Sequence, residues 1–192
     1  MSFGALWEER MNKLTYVKRI IITAMCIALC VVLPIAFHAI PDAGSVLSPM
    51  HLPVLLCGLV CGWHFGLLCG LAGPFLSSIM TGMPPMAYLP PMMVELAVYG
   101  LCTGLLMKLI RTKKIYVDLY ISLIISMLAG RIVAGMVRAL IFAPGNYSMA
   151  IWATSYFVTS LPGIIMQLIL LPVIVIALMK ARLIPARYTK GV

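Results

Sequence analysis

KRIIITAMCIALCVVLPIAFHAI, from Lys18 to Ile40, decides what kind of chain this is. After Lys18 and Arg19 no charged side chain appears until Asp42. A helix over Ile20–Ile40 rises about 30 Å, the thickness of a bilayer's hydrocarbon core. The run follows a basic tail and is long enough to span, so it reads as a retained first helix rather than a cleaved signal. The rest of the chain extends the same argument. Of 192 residues, 63% are hydrophobic and 10% are charged, where soluble domains carry about 25% charged residues. The surplus apolar surface must face lipid. At about 20 residues per span, six helices use roughly 120 residues and leave room only for short loops and tails. The fold class expected is an all-α membrane protein, a bundle of about six transmembrane helices.

The net charge of +9 does not point to nucleic acid, because the basic residues flank apolar runs. Arg10, Lys13, Lys18 and Arg19 precede the first helix. Lys108, Arg111, Lys113 and Lys114 surround one loop, and Lys180, Arg182, Arg187 and Lys190 close the chain. Basic flanks mark the cytoplasmic side. An even number of spans puts both termini and the Arg111–Lys114 loop in the cytoplasm. The loops at Asp42, at Pro84–Pro91 and at Asn146, which lack Lys and Arg, then face outward. The expected organisation is a cytoplasmic tail over 1–19, a six-helix substrate-binding membrane domain over 20–180, and a basic cytoplasmic tail over 181–192. Helices are expected near 20–40, 50–62, 67–81, 92–109, 118–142 and 155–179. The sequence GWHFG at 62–66 should reverse the chain, and an interfacial turn at 149–152 should precede the last span.

Helices two and three carry Gly58, Gly62, Gly66, Gly70 and Gly73, small residues that let membrane helices approach closely. All six cysteines fall in apolar runs and read as buried free thiols. Cys57, Cys61 and His64 stand at i, i+4 and i+7, but a zinc site needs a fourth ligand and supporting partners. No metal or cofactor is expected. Nor does the chain carry a P-loop, a nucleophile elbow, a zinc-protease motif or paired aspartates. It reads as no enzyme, and a membrane-embedded enzyme would need more carboxylates than five acidic residues provide.

Ionisable residues inside a membrane are costly and mark function. Glu95, Arg131 and Arg138 are the three. The two arginines are seven apart and share a helix face with Gly135 between them. Arg131 lies roughly 20 Å from the inner end of its helix, and Glu95 stands four residues past Pro91, so the charges converge in the outer half. Their sum is +1, which an anionic ligand would balance. Arginine's planar fork suits a carboxylate. The competing reading is a structural Glu–Arg pair, with Arg138 reaching up to the interface. Gln167 in helix six and Tyr99, one turn below Glu95, are further candidates. So are Asn146, Trp152 and Tyr88, which with Tyr147 would form a proline-stiffened aromatic lid or an interfacial belt. His51, at the start of helix two, reads more as an interfacial residue than as a ligand contact.

Ala24-Met25-Cys26-Ile27-Ala28 in helix one, the block LSPMHLPVLLCGLVCGWHFGLLCGLAGPFLSSIMTGMPP from Leu47 to Pro85 and the following ELAVYGLCTGLL together resemble the substrate-binding S components of energy-coupling factor (ECF) vitamin transporters. The resemblance covers about Ile20 to Met179 and is strongest to the pantothenate, cobalamin and riboflavin branch. It implies a bacterial cytoplasmic-membrane subunit that captures a vitamin or related micronutrient near the outer face. The cavity would be built by helices four to six and capped by outer loops. Ala24 and Ala28 would pack on a transmembrane coupling subunit, with two ATPase subunits completing an importer of the ABC type. Physically, alanines at i and i+4 make a flat patch for close helix contact. Pantothenate is the first choice of substrate, for its carboxylate, with cobalamin, lipoate or another small metabolite as alternative substrates. The alternatives are a stand-alone ion-driven carrier, though no internal repeat with matched broken helices is visible, and a structural membrane protein that binds no solute.

Overall fold

The computed structural model describes residues 15–37, 46–142 and 148–185. They are helical throughout, and no strand occurs among them. In chain order the helices are α1 (Tyr16–Phe37), α2 (His51–Cys61), α3 (Trp63–Thr81), α4 (Leu89–Leu109) and α5 (Ile115–Val137), the last running into a π-helical turn (Arg138–Phe142). There follow α6 (Met149–Ala153), which also continues as a π turn (Thr154–Val158), and α7 (Leu161–Lys180). Five helices are long and apolar enough to cross a membrane. α2 and α6 are the exceptions: the 11 residues of α2 rise only about 16 Å, and α6 has 5 residues.

The short α2 is the centre of the bundle. Nine of its 11 residues are buried, and it packs against α1, α3, α4 and α7. A half-length helix leaves backbone groups at membrane depth. This is tolerated where protein rather than lipid surrounds them. α1 makes the opposite choice and buries one stripe, Thr23, Cys26, Cys30 and Pro34, spaced as one face of a helix. Against that stripe lie Cys57, Cys61 and Cys69. All six cysteines are free, and five of them are buried.

Glycine sets how closely α2 and α3 approach α4. A Cβ on Gly66 would meet the carbonyl of Gly100, and a Cβ on Gly100 would meet the carbonyl of Gly66. Gly70 faces the Leu96 carbonyl, and Gly104 faces the backbone of Trp63. Backbone therefore lies on backbone along three turns, with no side chain to give way. Gly100 and Gly104, which match the glycines of α3, are not singled out in the sequence reading.

Several boundaries differ from expectation, each for a local reason. The reversal at 62–66 narrows to one residue, because Gly62 at φ 93° turns the chain and α3 starts at once. The prolines before Glu95 begin α4 rather than a loop, since Pro90 and Pro91 fall in the first turn, where a missing N–H costs nothing. The expected sixth helix over 155–179 is two pieces. α7 restarts at Leu161 after a break at Ser160, with Pro162 in its first turn. At the start of α5, buried Asp118 accepts hydrogen bonds from the Thr112 amide (3.0 Å) and hydroxyl (2.6 Å), which folds the basic loop onto the helix. The last residues of the expected first helix, 38–40, lie outside the described residues.

Candidate substrate-binding site

Away from the basic helix ends, four polar side chains from three helices meet in an otherwise apolar interior. Glu95 of α4, Arg131 of α5 and His51 of α2 are 7%, 3% and 5% exposed, and Tyr99 of α4 is fully buried. Glu95 Oε1 accepts a 2.7 Å hydrogen bond from the Tyr99 hydroxyl. It lies 3.4 Å from His51 Nε2 and 3.9 Å from Arg131 Nε. The spacing of four between Glu95 and Tyr99 puts them on one helix face. The imidazole of His51 also stands edge-on to the Tyr99 ring, with centroids 5.2 Å apart. Gly130 makes room, because any Cβ there would strike the Tyr99 ring.

Glu95 thus pairs with Arg131. The contact is longer than the 2.7–2.9 Å of a charge-assisted hydrogen bond and runs through Nε alone. It is an ion pair without the two parallel bonds that a guanidinium makes to a well-placed carboxylate. The Arg131 guanidinium also lies 5.5 Å from the centroid of the Phe157 ring, within cation–π range.

Trp152 covers this group from α6. Its Nε1 donates to the Arg131 carbonyl at 3.1 Å, and its indole rests on Gly135, where a Cβ would collide with it. The space that Gly135 leaves beside α5 is therefore filled by Trp152. Phe157 meets the Trp152 ring edge-on at 5.1 Å. Beyond the indole a cavity of about 260 Å³ is lined by Ile132, Gly135, Met136, Ala139, Met149 and Trp152, with Ser148. Both π turns, Arg138–Phe142 and Thr154–Val158, flank this region, and such turns recur at functional sites.

The remaining candidates divide. Arg138 is half-buried and holds its guanidinium 5.4 Å from the ring centroid of Tyr88. Tyr88 itself is 53% exposed, as a lid residue would be. Gln167 is fully buried in α7, and its Nε2 reaches the Ser48 carbonyl at 3.5 Å. Its Oε1, like Nδ1 of His51, is buried with no hydrogen-bond partner among the described residues. Asn146 lies outside the described residues, as does Tyr147.

Two sequence expectations need correction. His51 is an interior residue on Glu95, not an interfacial one. The stripe of Cys57, Cys61 and His64 is not continuous, because the chain turns at Gly62, leaving the cysteines buried and His64 exposed. No group of three metal-ligating side chains is found among the described residues. Phe157 is missing from the sequence reading altogether, since one aromatic in an apolar run gives no signal of a cation beside it.

On α1, Ala24 and Ala28 are both exposed, on the side opposite the buried Thr23 and Cys26.

Helices long and apolar enough to cross a membrane thus surround a buried polar cluster, the build of a multi-pass membrane protein. Residues 18–175 match the family described as ECF transporter, substrate-specific component. The chain belongs to that family, and is a multi-pass membrane subunit that binds substrate for an ECF module. No curated protein and no solved structure matches it.

Proposed function

We propose that this subunit captures a vitamin-sized metabolite carrying a carboxylate, pantothenate being the first choice, at the group formed by Arg131, Glu95, Tyr99 and His51. Gln167 and Phe157 complement that group, while Tyr88, Arg138 and Trp152 close it from the outer side. The observation that carries this reading is Arg131. It is a buried arginine at membrane depth whose carboxylate neighbour does not engage it as a fork. A ligand carboxylate supplies that geometry. The unpartnered Oε1 of Gln167 and Nδ1 of His51 suit the hydrogen bonds of a polar ligand, since buried polar groups are ordinarily satisfied.

Delivery requires partners. The exposed Ala24 and Ala28 form a smooth strip on α1 for a transmembrane coupling subunit, itself driven by two ATPases. Both termini of the chain face the cytoplasm in this arrangement. The substrate is tested by ligand screening on the purified subunit, following apparent melting temperature against B vitamins, lipoate and queuine-like bases. A ligand that binds only the folded state raises the melting point. A clear shift with pantothenate supports the assignment. A shift with an uncharged compound alone overturns the carboxylate, and no shift across the panel removes vitamin capture.

A further inference from the structure

At the basic end of the bundle, far from Arg131, a second cavity of about 420 Å³ opens where four helices meet. Arg19 of α1, the Cys61–His64 turn between α2 and α3, and Gly104 and Lys108 of α4 line it. Three side chains that are or can become cations face this space, and no carboxylate is among its lining residues.

Arg19 is fixed there by its own backbone. Its carbonyl accepts from the Thr23 hydroxyl at 2.7 Å and from the Cys61 thiol at 3.7 Å. Its Nε is buried with no hydrogen-bond partner among the described residues. A guanidinium nitrogen held out of water without an acceptor is costly, so this one is set to receive an anion. The wall opposite is the start of a 19-residue helix. Gly62 turns the chain at φ 93°, and the first backbone bond of α3 runs from the Gly66 amide to the Gly62 carbonyl at 2.9 Å. The amides of residues 63–65 precede it and lack intrahelical acceptors. They and the helix dipole add to the positive field. His64 is stacked on Trp63, ring centroids 3.3 Å apart, at the rim. Around the cavity the surface is apolar, with Tyr16 71%, Ile20 46% and Leu109 73% exposed.

We infer that this cavity seats the phosphate of an anionic membrane phospholipid. Arg19 and Lys108 pair with the phosphate, the α3 amides donate to it, and the acyl chains lie over Tyr16, Ile20 and Leu109. Basic pockets between transmembrane helices at the headgroup layer take such lipids. The exposed apolar flanks select a lipid over a free anion. The inference is independent of which solute the Arg131 site takes.

The test uses the full chain purified in detergent, with melting followed as phosphatidylglycerol, phosphatidylcholine or inorganic phosphate is added. Phosphatidylglycerol should raise the melting temperature more than phosphatidylcholine does. Native mass spectrometry should find it retained. Arg19→Gln with Lys108→Gln should abolish the difference. Lys108→Gln alone, at an exposed position that does not threaten folding, should weaken retention several-fold. Lys113→Gln, a basic residue outside the cavity, should leave both readouts unchanged. An equal loss with Lys113→Gln reduces the effect to diffuse surface charge and overturns the site. Inorganic phosphate matching the lipid's effect overturns the lipid as occupant. Indifference of the wild-type protein to phosphatidylglycerol overturns the inference and leaves the cavity to an acidic side chain of a partner subunit.

Discussion

The hydroxyl of Tyr99 donates a 2.7 Å hydrogen bond to Glu95 one turn earlier on α4, while His51 approaches the same carboxylate oxygen from α2 at 3.4 Å. Glu95 is thereby held by its own helix and by the central one before Arg131 reaches it from α5. Tyr99→Phe removes a bond to a charged group and leaves the ring packed on Gly130. It should lower stability by about 1.5–3 kcal/mol, read as an earlier melting transition with unchanged helical content. An unaltered melting curve means Glu95 is held adequately without it.

Arg131→Ala should leave an inserted, monodisperse protein with weakened ligand binding. Truncating one partner of a buried charge pair costs about 2–5 kcal/mol, or roughly 30-fold to several-thousand-fold in affinity. Arg131→Lys keeps the charge but not the fork, and should recover only part of the loss. Titration calorimetry separates the three proteins. The sharper comparison is the double variant Glu95→Gln with Arg131→Met. It should fold well, because an isolated charge no longer remains, but should not bind. Full affinity in the double variant makes the pair purely structural.

Gly66→Val and Gly100→Val should each prevent accumulation of folded protein, since the added carbon meets backbone rather than a movable side chain. Gly62→Ala meets nothing within 4 Å but must hold φ near 93°. Its cost should be only about 1–3 kcal/mol. Yield and size-exclusion profile distinguish the two classes, and a well-behaved Gly100→Val protein would show that α3 and α4 can separate.

Ala24→Leu and Ala28→Leu lie on the exposed side of α1, so the isolated subunit should bind ligand normally. Association with the coupling subunit, followed by co-purification, and uptake in cells should both fall. Retained uptake would remove this strip from the interface.

The membrane fold was legible because the signal is repeated. Apolar runs, basic flanks and helix-length spacing agree from Lys18 to Lys180. The candidate site was legible where one residue declares itself, as an arginine or glutamate in a long apolar helix does. It was not legible where identity is ordinary and position is everything. His51 and Glu95 are far apart in sequence, and no local pattern says that α2 sinks into the centre and brings them together. Phe157 looks like any apolar residue. The π turns after Val137 and Ala153 shift the backbone register without changing the apolar pattern, so periodicity does not register them. The break before α7 did have a signal in Pro162 and Gly163, outweighed by the hydropathy around it.

The interlocked glycines of α3 and α4 divide the molecule by tolerance to change. Where backbone rests on backbone, almost any substitution is refused, and that refusal joins α2, α3 and α4 at Gly58, Gly66 and Gly100. Around Arg131 the contacts run through side chains instead: Tyr99 on Gly130, Trp152 on Gly135 and Phe157 beside Trp152, so variation there can be absorbed by a ring that shifts rather than by a backbone that cannot.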